Sequence, residues 1–342
     1  MDLEQTCRTY LKWIFMLAVL VITFFASLFL GRYIISPKVV FFILLDSLSN
    51  SRSSLYEIEA SIVLGIRLPR TILSMLIGAG LAVSGSTFQG LFRNPLVSPD
   101  VLGVSSGAGF GAALGILTTG ISGISSISAF AFGILSVFLT YMLAKTRKEV
   151  SVMSLVLAGM IVSSIFNSLI SMVKYVADPY DKLPAITYWL MGSFSKATFD
   201  SLKAVFLPIA AGIVILLLLR WRINILSLGD EEAYSLGINP KRIRLAAIAI
   251  STIVTAASVT VVGVVGWVGL VIPHISRQIV SVDHRYLLPA SCILGAIFLT
   301  LVDIIARTLM SAEIPIGVLT AFVGAPFFAF LLKIVKKGKG EW

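Results

Sequence analysis

Charged side chains are scarce in this 342-residue chain, at 13% of the total, about half the share of an ordinary soluble domain. That shortage argues against a water-soluble fold. Cysteine and histidine number two each. Cys7 precedes the first apolar run and Cys292 lies inside a late one, so a disulfide is not expected and two lone thiols make no metal site. His274 and His284 do not sit in a zinc-binding pattern. Neither Gly-x-x-x-x-Gly-Lys-Ser/Thr nor His-Glu-x-x-His occurs. The chain therefore does not take ATP through a phosphate loop, and enzymatic chemistry has almost no support. No metal and no cofactor is expected.

Apolar surface is what the chain has in excess. It is 57% hydrophobic, with a mean hydropathy of +0.98. Runs of about 20 apolar residues, enough to cross a hydrocarbon core, recur from end to end. They are continuous rather than alternating and so read as helices, not barrel strands. Ten spans are expected, near 13–35, 68–91, 96–117, 123–144, 152–175, 199–220, 243–262, 267–281, 287–307 and 315–335. The fold class is all-α, a polytopic membrane protein forming one transmembrane domain over 1–342. The first run is too long for a signal peptide and reads as an uncleaved helix.

The net charge of +10 has a plain explanation in a membrane protein, because Lys and Arg gather in cytoplasmic loops. Lys145-Arg147-Lys148, Lys241-Arg242-Arg244 and Lys333-Lys336-Lys337-Lys339 all fall on the side shared by both termini. That side is read as cytoplasmic. No basic face interleaved with aromatics supports nucleic acid as a partner, whereas membrane lipid is one. Arg67 and Arg70 stand against the trend on the outer side, joined by Arg307, and one outer basic patch would attract carboxylates on a partner.

Several segments stand out. Ser74, Gly78, Ala82, Ser86 and Gly90 recur every fourth residue, as do Gly103, Gly107, Gly111 and Gly115, which suits close helix packing. Ser164, Ser168 and Ser171 share a face with Asn167 beside them, either as helix–helix contacts or as the lining of a water-filled path. Asp303 and Arg307 are spaced to pair. Ser36 to Leu64 reads as a polar, Ser-rich outer segment, and the apolar piece 186–190 as a short interfacial helix. The inner segment about 226–240 carries Asp230, Glu231 and Glu232, then Gly237 and Asn239-Pro240. This suits a short polar helix on the inner surface.

The motifs Arg67-Leu68-Pro69-Arg70, Phe92-x-Asn94-Pro95-Leu96, Leu102-Gly103-Val104-Ser105-x-Gly107-Ala108-Gly109, Gly269-Leu270-Val271-Ile272-Pro273-His274-Ile275 and Glu313-Ile314-Pro315-Ile316-Gly317 together resemble the FecCD-type permeases. These are the membrane subunits of ABC importers for iron–siderophore, haem and vitamin B12. The resemblance covers nearly the whole chain from the second span onward. It implies a vitamin B12 importer-like permease fold in a prokaryotic cell membrane, working as a homodimer with a second copy of itself. Two cytoplasmic ATPase subunits would lie beneath and an extracytoplasmic substrate-binding protein above. By the same resemblance, Arg67, Arg70 and Arg307 dock the binding protein, and Asn94, Pro95 and Leu96 form an inner gate. Val152 and Met153 would form a second gate, although the family often carries small hydroxyl residues there. Gly229, Asp230, Glu231, Glu232, Ala233, Leu236 and Gly237 would couple to the ATPase, and the fifth and tenth spans would line the pathway and dimer interface. The implied cargo is a metal chelate, iron–siderophore first, with haem, corrinoid or a molybdate-type oxyanion as alternatives. A secondary transporter driven by an ion gradient is the alternative of another class.

Overall fold

The computed structural model describes residues 3–49, 56–120, 122–145 and 151–336. Arg147, Lys148, Lys337 and Lys339 of the basic clusters lie outside the described residues. Helices α1 (Leu3–Phe29), α2 (Pro37–Ser49), α3 (Glu57–Ala60) and α4 (Leu68–Phe92) come first. Then follow α5 (Val104–Thr119), α6 (Ser122–Ala144), α7 (Val152–Val176), α8 (Lys182–Met191) and α9 (Phe199–Leu228). The chain continues through α10 (Asp230–Ser235), α11 (Pro240–Val262), α12 (Val268–Ile279), α13 (His284–Thr308) and α14 (Ile316–Lys336). No strand forms among the described residues. Seven of the helical stretches are long and apolar enough to cross a membrane, and Val104–Thr119 and Ile316–Phe330 are shorter apolar helices.

Every expected span has a helix within it, but boundaries shift: α1 runs Leu3–Phe29 rather than 13–35, α5 begins at Val104 rather than near 96, and three further departures have physical reasons. The second span begins earlier, because α3, a π-helical turn over Ser61–Arg67 and α4 run on as one 36-residue helix. Pro69 has no N–H for the preceding turn, and the wider π turn absorbs that loss. The sixth span continues to Leu228, past Arg220 and Arg222, because Ile223, Ile225 and Leu226 are buried beyond them. The segment read as a polar outer loop contains α2. Its apolar run is too short to span a membrane, yet Ile35, Val40 and Ile43 bury against Leu28 and Val63.

Helix α4 is the centre of the bundle, enclosed by α9, α11, α12 and α13. Its stripe of small residues lies along α13. Ser74 Oγ is 2.9 Å from Thr300 Oγ1, and Ser86 Oγ donates to Ser291 Oγ at 2.8 Å. Between them Gly78 meets Gly295 so closely that a Cβ at Gly78 would lie 2.2 Å from the Gly295 carbonyl oxygen. The second glycine stripe lies along α6, where a Cβ at Gly107 would lie 2.4 Å from the Phe132 carbonyl oxygen. Apolar helices in lipid gain no hydrophobic free energy by pairing, so close backbone approach and interhelical hydrogen bonds hold the bundle together.

Candidate functional site

The three arginines meet where α4 begins and α13 ends. All are buried, at 4, 5 and 6% exposure for Arg67, Arg70 and Arg307. Arg70 donates from Nε and Nη2 to Asp303, at 2.8 Å for the shortest contact, and from Nη1 and Nη2 to Glu313, each at 3.0 Å. Arg307 reaches the other Asp303 oxygen at 3.5 Å and donates to the Ser27 carbonyl at 2.6 Å and Ser27 Oγ at 2.7 Å. Arg67 donates to the carbonyls of Leu28, at 2.7 Å, and Tyr33. The expectation of one cluster holds in position. The expectation of an open basic patch does not, because each guanidinium is turned inward onto acceptors of its own chain. A bare charge at this depth costs several kcal/mol, so the fold encloses these cations with Asp303, Glu313 and main-chain oxygens. Glu313 was legible only as part of a motif; its side chain is the more exposed of the two acids, at 21%.

At the opposite end α4 stops in a Schellman turn. Asn94 N–H donates to the Gln89 carbonyl at 3.2 Å and Arg93 N–H to the Gly90 carbonyl at 3.4 Å. Arg93 holds the left-handed position, with φ 48°. Asn94 Oδ1 then accepts from Leu96 N–H at 2.9 Å, which fixes the turn around Pro95. Asn94 and Leu96 are exposed, and Pro95 is half-buried. Asp230–Ser235 form a short helix whose Ala233 is buried while Glu231, Glu232 and Leu236 are exposed. Gly237 ends it in the left-handed region at φ 74°. Arg93 Nη2 donates to Asp230 Oδ1 at 3.0 Å, and Arg244 Nη2 reaches the same oxygen at 2.9 Å. A cavity of about 740 Å³ lies here, walled by Phe92, Arg93, Val152, Gly229, Asp230 and Arg244 among others. Val152 thus shares a cavity wall with Arg93, whereas Met153, 68% exposed, does not line it. The contact of Arg93 with Asp230 has no local signature, because it joins residues 137 apart in the chain; that of Arg244 with Asp230 spans only 14 residues, from α10 to the first turns of α11.

On α7, Ser164, Asn167, Ser168 and Ser171 all lie on the exposed face. The hydroxyls of Ser164, Ser168 and Ser171 donate to the carbonyls of Met160, Ser164 and Asn167, four residues back. Their lone pairs are left facing outward. Gly103-Val104-Ser105-Ser106-Gly107 has the letters of a hydrolase nucleophile elbow, but it opens α5 after a 3₁₀ turn rather than following a strand. Ser105 Oγ donates to Asp100. No group of three or more His, Cys, Asp or Glu among the described residues could hold a metal ion.

A bundle of spans this long, with its ion pairs turned inward and a polar stripe left on one face, is the architecture of a multi-spanning transport permease. Residues 19–334 match the FecCD transport family, and the chain belongs to that family. It is 40% identical over 321 residues to the molybdate import system permease protein MolB of Haemophilus influenzae, covering 93% of this chain and 94% of that protein. It is 41% identical over 272 residues to a Helicobacter pylori protein named a probable iron chelatin transport system permease protein, covering 79% and 82%. Among solved structures, one described as an inward-facing conformation of an ABC transporter of metal-chelate type matches with a TM-score of 0.84. It shares 38% identity over 94% of this chain and 98% of that one.

Proposed function

We propose that this chain is the membrane subunit of an ATP-driven importer for a metal chelate, with iron–siderophore the first candidate. It acts as one transmembrane domain paired with a second copy of itself in a prokaryotic cell membrane, both termini cytoplasmic. Two ATPase subunits sit against α10, and a substrate-binding protein sits at the arginine end. The observation that carries this reading is the face of α7. Its exposed hydroxyls and the Asn167 amide interrupt an otherwise apolar span. The Asn167 amide is costly against lipid, and the face as a whole suits a wet path between two copies. Binding and release of ATP on the other subunits would move α10 and open or close Asn94–Leu96 and Val152–Met153 in turn.

The arginines serve docking in a modified sense. Arg70 and Arg307 share the carboxylates of Asp303 and Glu313 while Arg67 has only carbonyl acceptors, so the cluster keeps a positive excess, and Glu313 is its more accessible counter-ion. A carboxylate on the binding protein would exchange with Glu313 for Arg70. Glu313→Gln should then raise binding-protein affinity about two- to fivefold, measured by surface binding to the reconstituted permease.

A molybdate-type oxyanion is the second reading, favoured by the identity with the Haemophilus permease. Against it, the α7 face carries no cation between Val152 and Val173, and its serine hydroxyls already donate to their own backbone. A bare dianion finds few donors there. Uptake of labelled ferric siderophore and labelled molybdate into liposomes, with and without the ATPase and binding protein, separates the readings. ATP-dependent uptake of the ferric siderophore alone is expected. Accumulation by the chain without its ATPase would sink the proposal and favour an ion-gradient transporter.

A further inference from the structure

Arg93 occupies a backbone position that glycine would fill without strain, the left-handed residue of a Schellman turn. Its side chain accounts for its presence. Nε donates to the Leu226 carbonyl at 3.2 Å, in the last turn of α9, and Nη2 to Asp230 Oδ1 at 3.0 Å, on the first residue of α10. One guanidinium therefore spans the α9–α10 junction and fastens it to the residue immediately before Asn94. From the other side, Arg244 of α11 holds the same oxygen. The two contacts differ in exposure. The Arg244 side chain is 14% exposed on a long helix, while the Arg93 side chain is 43% exposed at the head of a loop.

We infer that Arg93 and Asp230 are positioning residues that transmit displacement of α10 to the gate loop. The inference rests on the ATPase-driven reading above and adds the contact through which that reading operates. Movement of α10 carries the Asp230 carboxylate. Arg244 limits that movement from the buried side, and Arg93 follows it on the exposed side. The cavity between Arg93, Val152 and Asp230 leaves room for the shift; it is lined by Val152 of the second gate segment and by Arg93, the residue just before the first. A half-exposed ion pair is weak, so its loss should blunt the response rather than abolish it.

The experiment uses the full complex with its ATPase, carrying Cys7→Ser and Cys292→Ser, with Leu96→Cys as a reporter. The rate at which a water-soluble maleimide labels the reporter is compared without nucleotide and after trapping with ATP and vanadate. In Arg93→Gly, which keeps the left-handed turn and removes the guanidinium, that rate ratio should fall about two- to fivefold. ATP hydrolysis and co-purification should be retained. Asp230→Asn should match it on the ratio, and Arg93→Lys should restore most of it, which a merely structural role would not do. Arg93→Asn, also tolerant of the left-handed region, decides on the same readout if thermal unfolding shows Arg93→Gly to be misfolded. An unchanged ratio in the folded variant overturns the inference. A parent complex whose reporter ignores ATP and vanadate overturns the gate-and-ATPase reading itself.

Discussion

Asp303 is fully buried and shared by two guanidiniums, those of Arg70 and Arg307. Asp303→Asn would leave Arg307 with only the oxygens of Ser27, and breaking a buried pair from one side costs about 3–5 kcal/mol. A large drop in thermal midpoint in detergent is the expected result. Glu313→Gln should cost clearly less, because that carboxylate retains partial contact with water. The same burial changes how docking must be tested. Charge reversal at Arg67 or Arg70 would place carboxylates among acceptors and damage the fold, so loss of transport in such a variant would say nothing about a partner. The accessible side chain to alter is Glu313.

At the scale of elements, close approach decides which glycines matter. A Cβ at Gly85 would lie 1.9 Å from the carbonyl oxygen of Gly269 on α12, whereas one at Gly65 meets nothing within 4 Å. Gly85→Ala should therefore push α4 and α12 apart and cost about 1–3 kcal/mol. Gly65→Ala should be neutral or slightly stabilising, as glycine is a poor helix former. Thermal unfolding of the two variants side by side checks this. The α7 stripe gives the opposite contrast. Alanine at Ser164, Ser168 and Ser171 together should change stability by less than about 1 kcal/mol, since those hydroxyls bond their own helix. Uptake should fall nonetheless, and unchanged uptake would count against a lining role.

At the scale of the whole molecule, α10 offers exposed acids to whatever lies beneath it. Glu231→Lys with Glu232→Lys leaves the buried Ala233 in place, so the chain should fold normally. Association with the ATPase should weaken by about tenfold or more, read as co-purification yield across salt concentrations. Retention at the level of the parent would remove α10 from the contact surface.

What the amino-acid sequence determined alone was whatever repeats locally. Apolar length defined the spans, spacing by four defined the packing stripes of α4 and α5, and Gly237 with Asn239-Pro240 marked where the short inner helix stops. These signals are legible because helix periodicity and turn chemistry act over a few residues. Only the tertiary structure decided which charges are used up. Arg70 meets Asp303 and Glu313, and Arg93 meets Asp230, across more than a hundred residues of chain. No local pattern encodes such pairings, because the free energy of a charge depends on what surrounds it in space. That is why three arginines that read as an open patch proved to be an enclosed cluster, and why the arginine beside Asn94 proved to be tied to α10.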